Sequence, residues 1–259
     1  MFTTRELMEA VAGYQPIAPA TRKGWTYGIK GFEDKPVEEV DKKFVNLRRS
    51  QLNSLGYKPS YVRTLLGYCG TIWQIGYEQM EIVDSNPWRG SLKGLKRGQK
   101  KYPFLPFEHY EQCGLTEHPL FLGLWYHGFR VNELCCLKPE DIILDHPYPH
   151  FSIIDNEVRT IKNEPSRREV PIHHEYFKFI ENFPFSTNPK AGDNFSRYMK
   201  RRCDHSAHGI RHNITTRMRK AGIEYSIAAS ILGHDAVGMT SNYGHILLED
   251  KAEQLQKLR

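Results

Sequence analysis

Apolar residues recur every three or four positions through most of this chain, which predicts helices, and give way to short alternating runs over one stretch, which predicts strands. Near the start, Thr3-Thr4-Arg5-Glu6 offers a capping box ahead of LMEAVAGY. A second helical segment follows Thr21. Asp41 is placed to cap a helix through Phe44, Leu47, Leu52 and Leu55, with Gly56 as its stop. After Ser60, the residues Val62, Leu65, Leu66, Cys69, Ile72, Trp73 and Ile75 keep helical spacing up to the turn signal Asp84-Ser85-Asn86-Pro87. Residues 1–90 therefore read as a small helical domain.

The pattern from residue 102 onward is mixed. Residues 106–115 and 119–129 look helical. Residues 150–155 (HFSIID), 157–161 (EVRTI) and 168–172 (REVPI) are β-prone runs with polar breaks, consistent with a small antiparallel sheet. Helices resume from His173, from Asp193 through SRYMKRRC, from about His208 to Ala221 with Gly222 as stop, and from Glu224 to Leu232. Another short one is expected from Val237, carrying Tyr243. The closing segment ILLEDKAEQLQKL is amphipathic, with Ile246, Leu247, Leu255 and Leu258 available for burial. Docking on a neighbouring protomer and folding back on its own chain account for it equally well. The fold class is mainly α with a small antiparallel β-sheet, in two domains at 1–90 and 102–259.

Composition narrows the picture. With 39% hydrophobic and 25% charged residues, the 259-residue chain is of ordinary soluble type. No window approaches 18 uninterrupted apolar residues, and the N-terminus lacks the apolar core of a secretory signal. The five cysteines are odd in number and form no CxxC pair, which argues against a disulfide framework or a structural zinc site and for a reducing, cytoplasmic setting. Lys and Arg number 36 against 30 acids, a balance compatible with nucleic acid. Six of those charges, Arg89, Lys93, Lys96, Arg97, Lys100 and Lys101, fall in an acid-free run with three glycines. Residues 91–101 thus read as a flexible basic linker, either merely solvated or lying along a phosphate backbone.

Four places carry candidate chemistry. In GFRVNELCCL, Glu133 lies three residues after Arg130, close enough on a helix to hold the guanidinium in place. Lys162 sits in a polar turn after a strand. In HGIRHNITT, His208 and Arg211 share a face near a helix N-terminus, a corner suited to phosphate. His208 and His212 also have a spacing used by zinc sites, but no HExxH glutamate or third ligand accompanies them, so no metal is expected. In LGHDAVGMTSNYGH, Leu232-Gly233-His234 makes a turn and Tyr243 follows nine residues after the histidine. Together these are the groups that metal-free phosphodiester transesterification requires. Arginines neutralise the nonbridging oxygens, a histidine takes the phenolic proton, and a lysine protonates the leaving oxygen.

The same residues resemble the tyrosine recombinases, or phage integrase family. Gly128-Phe129-Arg130-Val131-Asn132-Glu133-Leu134-Cys135-Cys136-Leu137 is similar to the family's first arginine motif. Lys162 ahead of Arg167-Arg168-Glu169-Val170-Pro171 looks like its hairpin lysine, His208-Gly209-Ile210-Arg211 like its H-x-x-R box, Leu232-Gly233-His234 like its LGH box, and Tyr243 like its nucleophile. Order and spacing agree from Gly128 to His245, and the helical first region resembles the core-binding domain. Gly209 departs from an acidic residue often found there. The arm-binding domain of many phage integrases has no room before Thr3, which implies either the simple two-domain type or a fragment of a longer integrase.

The resemblance implies that Tyr243 attacks a scissile phosphate to give a 3′-phosphotyrosyl bond and a free 5′ hydroxyl. Arg130 and Arg211 bind the phosphate, His234 donates a hydrogen bond, Lys162 is the general acid, His208 the general base, and Glu133 a support. It further implies double-stranded DNA as partner, a homotetramer on two DNA sites, strand exchange through a Holliday junction in integration or excision of a phage or mobile element, accessory DNA-bending or excision-directing proteins, and no cofactor. A type IB-like topoisomerase or a catalytically silent DNA-binding relative are the alternatives.

Overall fold

The computed structural model describes residues 2–98, 102–161, 163–234 and 246–258, and the chain divides into two compact units at Lys100/Lys101. The first unit is helical: α1 (Thr4–Tyr14), α2 (Pro19–Ile29), α3 (Lys42–Ser54) and α4 (Pro59–Glu78). The expected caps form. Thr3 and Glu6 make the reciprocal capping box of α1, and the Asp41 carboxylate accepts the Phe44 N–H at 2.7 Å at the start of α3. Leu7, Val11, Trp25, Ile29, Val45, Leu66, Ile72 and Trp73 meet in its core. Gly24 lets α2 and α4 close together, since a Cβ there would stand 2.6 Å from the Tyr68 ring.

The start of the basic run belongs to this unit rather than to a free linker. Trp88 and Leu95 are buried in the core, and Trp88 stacks on Phe32 at 5.8 Å. Arg49 donates to the carbonyls of Ser91 and Lys93, and Arg63 to those of Leu92 and Leu95. The turns of residues 88–95 are thus held by main-chain acceptors that composition does not reveal. Arg89, Lys93, Lys96 and Arg97 are exposed, while Lys100 and Lys101 lie outside the described residues.

The second unit carries α5 (Phe107–Gln112), α6 (Pro119–His127), α7 (Val131–Cys135), α8 (Ala191–Cys203), α9 (Ala207–Lys220), α10 (Tyr225–Leu232) and α11 (Leu248–Leu255). Its sheet has the order β1 (Ile142–Ile143), β2 (His150–Ile153), β3 (Arg168–Pro171), all antiparallel, with Phe151 opposite Val170 and Ile153 opposite Arg168. Phe121, Leu124, Phe129, Leu134, Phe151, Val170, Tyr176, Ile210, Ile214 and Ile231 form one continuous core. The structure departs from the sequence pattern at two places. Residues 157–161 make no strand: Asn156 caps a turn by accepting the Arg159 N–H, and the buried Arg159 side chain reaches the carbonyls of Glu133, Cys136 and Ile154. After His173 the chain forms a 3-10 helix over His174–Phe179.

The C-terminal segment folds back on its own chain. Leu255 and Leu258 are fully buried, Lys251 donates to the Glu169 carbonyl, and the His173 ring pairs with the Leu258 carbonyl at 2.9 Å. Leu247, expected to be buried, is 58% exposed.

Candidate active site

The site is built around the end of α10. Gly233 terminates that helix in the left-handed conformation (φ 64°), and a side chain there would meet Arg168 and the Pro165 carbonyl at about 3 Å. The turn leaves the carbonyls of Leu232 and Gly233 pointing at two arginines. Arg211, on the first turns of α9 and only 4% exposed, donates to the carbonyls of Leu232 and Gly128. Arg130, which directly precedes α7, donates to the Gly233 carbonyl at 3.0 Å, to Ser166 Oγ at 2.8 Å and to Glu133 at 2.6 Å. Gly128 closes α6 at φ 65°, and a Cβ there would stand 2.4 Å from Leu232, so that its carbonyl can approach Arg211.

Glu133 does more than hold Arg130. Its carboxylate also forms a two-pronged pair with Arg168 (2.9 and 3.2 Å) and accepts the Arg130 N–H at 2.8 Å. Burial raises the Glu133 pKa, but Arg168 and Arg130 outweigh it and hold the carboxyl below its usual range. Arg168 is itself locked by the carbonyls of Ile231 and Ser166. Arg130 and Arg168 thus share one carboxylate while Arg211 rests on main-chain carbonyls, so three guanidiniums face a single negative charge among the described residues. Burial foremost, with Arg168 and Arg130 adding to it against Glu133, drives the Arg211 pKa down to about 9. Such a centre is primed to accept an anion.

His234 follows the turn. Partial burial first, then Arg211, Arg130, Arg168 and His212, push its pKa down to about 4, so the ring is neutral at pH 7. His208 and His212 extend from α9, one edge to the face of the other at 4.9 Å, and Tyr102 stacks on His212 at 4.6 Å. The two histidines belong to no cluster of three candidate metal ligands among the described residues. Lys162 and Tyr243 lie outside the described residues. Of the expected site residues, Arg130, Glu133, Arg211 and His234 are therefore brought into one network, and His208 lies on the same helix as Arg211.

Sequence reasoning passed over Arg168, Ser166 and Arg159. Arg168 had a readable signal: alternation in REVPI puts it on the same inward face as Val170, where a buried arginine needs an acid partner. Arg159 pairs with the buried Asp141 at 3.1 Å and so supports the loop under α7.

No family model matches the chain. A tyrosine recombinase of Pseudothermotoga lettingae is 24% identical over 250 residues, covering 86% of this chain and 81% of that one. Among solved structures, the Tn1549 transposon integrase in complex with transposon right end DNA superposes with a TM-score of 0.66 at 16% identity, covering 99% of both chains. A lambda integrase, solved as a tetramer bound to a Holliday junction, gives 0.64 at 15% identity over 96% of this chain and 81% of that one. The chain thus has the fold of these integrases, and its sequence is similar to that of the tyrosine recombinases.

Proposed function

We propose that this protein is a site-specific DNA recombinase that cuts and rejoins strands through a covalent 3′-phosphotyrosyl intermediate. The observation that carries the reading is the excess of positive charge at the Gly233 turn, where Arg130, Arg211 and Arg168 face the single carboxylate of Glu133. A phosphodiester under attack becomes a doubly charged, five-coordinate species, and fixed guanidiniums stabilise it more than the singly charged ground state. The described contacts take three of the five N–H donors of Arg130 and two of those of Arg211, leaving donors for nonbridging oxygens.

In the proposed cycle the Tyr243 oxygen attacks phosphorus while its proton passes to His208, because a free phenol with a pKa of about 10 is a poor nucleophile at neutral pH. The bond from phosphorus to the 5′ oxygen breaks, and Lys162 supplies the proton that oxygen needs. His234, neutral at pH 7, donates a hydrogen bond to a nonbridging oxygen without competing for the proton. The broken strand stays on Tyr243 until a 5′ hydroxyl, from the same or a partner duplex, reverses the steps. The helical first unit serves as the core-type DNA-binding domain, and exposed Arg89, Lys93, Lys96 and Arg97 with Lys100 and Lys101 contact phosphates. Assembly as a tetramer on two sites, as the lambda integrase forms on a Holliday junction, follows from the same reading.

A suicide DNA substrate, nicked beside a candidate site so that cleavage is trapped, tests the proposal. Wild type should give a covalent protein–DNA band in the presence of a chelator, and Tyr243→Phe should give none. A band in both would assign the nucleophile to another residue, and relaxation of supercoils without exchange between two duplexes would favour a topoisomerase.

A further inference from the structure

Away from the arginine turn, three soft ligands converge from distant parts of the second unit. His109 lies on α5, Cys113 follows that helix by one residue, and Cys203 ends α8. One candidate ligand atom from each lies within 4.8 Å of the others, and among the described residues no other three histidine, cysteine or carboxylate side chains do so. His109 and Cys113 are four apart, the spacing that puts two side chains on one helical face. Cys203 is buried, while His109 and Cys113 are half-buried, so an ion can enter from solvent. The His109 ring already approaches the Cys203 carbonyl at 3.3 Å.

We infer that His109, Cys113 and Cys203 form a binding site for a thiophilic divalent ion, zinc by its ligand set. Two sulfurs and one imidazole are a donor set that selects zinc over hard cations. Tetrahedral zinc holds such ligands about 3.5–3.8 Å apart, so the three atoms need to draw in by about 1 Å. Binding exchanges two thiol protons for one ion, the protons pass to solvent, and the resulting centre carries no net charge. Water takes the fourth position. No carboxylate is required, and the site survives next to the Arg202 side chain, which donates to the Cys113 carbonyl at 2.8 Å. The spacing of 90 residues between Cys113 and Cys203 explains why no CxxC-type signature announces it. The ion would tie α5 to the end of α8, three residues before Ser206 caps α9.

The full chain, reduced and stripped with a chelator, is titrated with Co²⁺ and its visible spectrum followed. The expected result is a thiolate-to-cobalt charge-transfer band with intense tetrahedral d–d bands, saturating at about one ion per chain and abolished by Zn²⁺. Cys113→Ser and His109→Gln, both at half-buried positions, should remove the charge-transfer band or weaken it to a trace, while circular dichroism reports that the fold is kept. Absence of the bands in reduced wild type overturns the proposal without reliance on any variant. Bands of undiminished intensity in the Cys113→Ser/His109→Gln double variant also overturn it, since the ion would then sit elsewhere. A two-dalton mass deficit in unreduced protein, with no cobalt bands after reduction, would overturn it in favour of a Cys113–Cys203 disulfide.

Discussion

Replacing Glu133 by glutamine keeps the shape of a buried side chain and removes its charge, at the point where two arginines depend on it. The carboxylate accepts four hydrogen bonds, two from Arg168 at 2.9 and 3.2 Å and two from Arg130 at 2.6 and 2.8 Å. Glutamine offers one accepting oxygen and turns an amide donor toward donors. Arg168, with its side chain 3% exposed, keeps the neutral carbonyls of Ile231 and Ser166 but loses its counter-charge. Breaking a buried pair on one side costs about 3–5 kcal/mol, a large share of the roughly 5–15 kcal/mol that holds a typical domain. Urea unfolding followed by circular dichroism measures it, and hydrogen exchange of peptides from α7 and β3 assigns it to the second unit. In Glu133→Gln/Arg168→Gln the orphaned charge is gone, so the double variant should be more stable than the sum of its single changes implies, by about 1–3 kcal/mol. The folded pKa of Glu133 lies below its unfolded value, so its contribution is complete at neutral pH and is lost as pH falls through the folded pKa. The variant should therefore show a shallower acid limb. A Glu133→Gln protein within about 1 kcal/mol of wild type, or strict additivity in the double variant, would refute the claim that the network is held by charge.

Four further outcomes are expected. Arg211→Lys should fold but lose about 10²–10³-fold in suicide-substrate cleavage, because an ammonium cannot span the Gly128 and Leu232 carbonyls and still fork onto a phosphate. Burial pushes His127 down to about 3, and burial with neighbouring cations pushes His173 and His234 down to about 4; their unfolded pKa is about 6.5. Stability should thus be complete above that value and fall as pH drops through the folded values, a loss that urea midpoints at pH 7 and 5 will register and that His173→Gln will diminish. Leu255→Ala, which empties a fully buried position, should cost about 2–5 kcal/mol by urea unfolding and loosen α11 in hydrogen exchange. Changing Lys93, Lys96 and Arg97 together to glutamine should reduce the slope of log binding constant against log salt by about 3 in a DNA titration, with little change in unfolding midpoint.

Much of the fold was readable because periodicity and caps coincided. The Thr3 box, the Asp41 cap and the α4 stripe each rest on local chemistry that needs no tertiary knowledge. Residues 157–161 misled because their β-prone side chains were outweighed by a distant demand: Arg159 is drawn inward by Asp141 and by carbonyls over twenty residues away. The same holds at the site. Motif spacing pointed to Arg130, Glu133, Arg211 and His234, since each belongs to a short local pattern. Alternation in REVPI marks Arg168 as inward-facing, but its partners, like those of Ser166, are not legible, because only the sheet register and the α10 turn bring Glu133, Ile231 and Arg130 near. The carbonyls of Gly128, Leu232 and Gly233 carry no sequence letter at all.

Anchoring on main-chain carbonyls shapes how the site tolerates genetic drift. A guanidinium anchored on main-chain oxygens is indifferent to which side chain sits above them, so position 232 can vary in identity so long as the helix still ends there. Position 233 has no such latitude, since its backbone angle and its clearance from Arg168 both exclude a Cβ. Saturation libraries across the turn should therefore divide sharply, with many viable apolar alleles at Leu232 and almost none at Gly233, and related sequences would drift around a fixed glycine while their arginines stay in place.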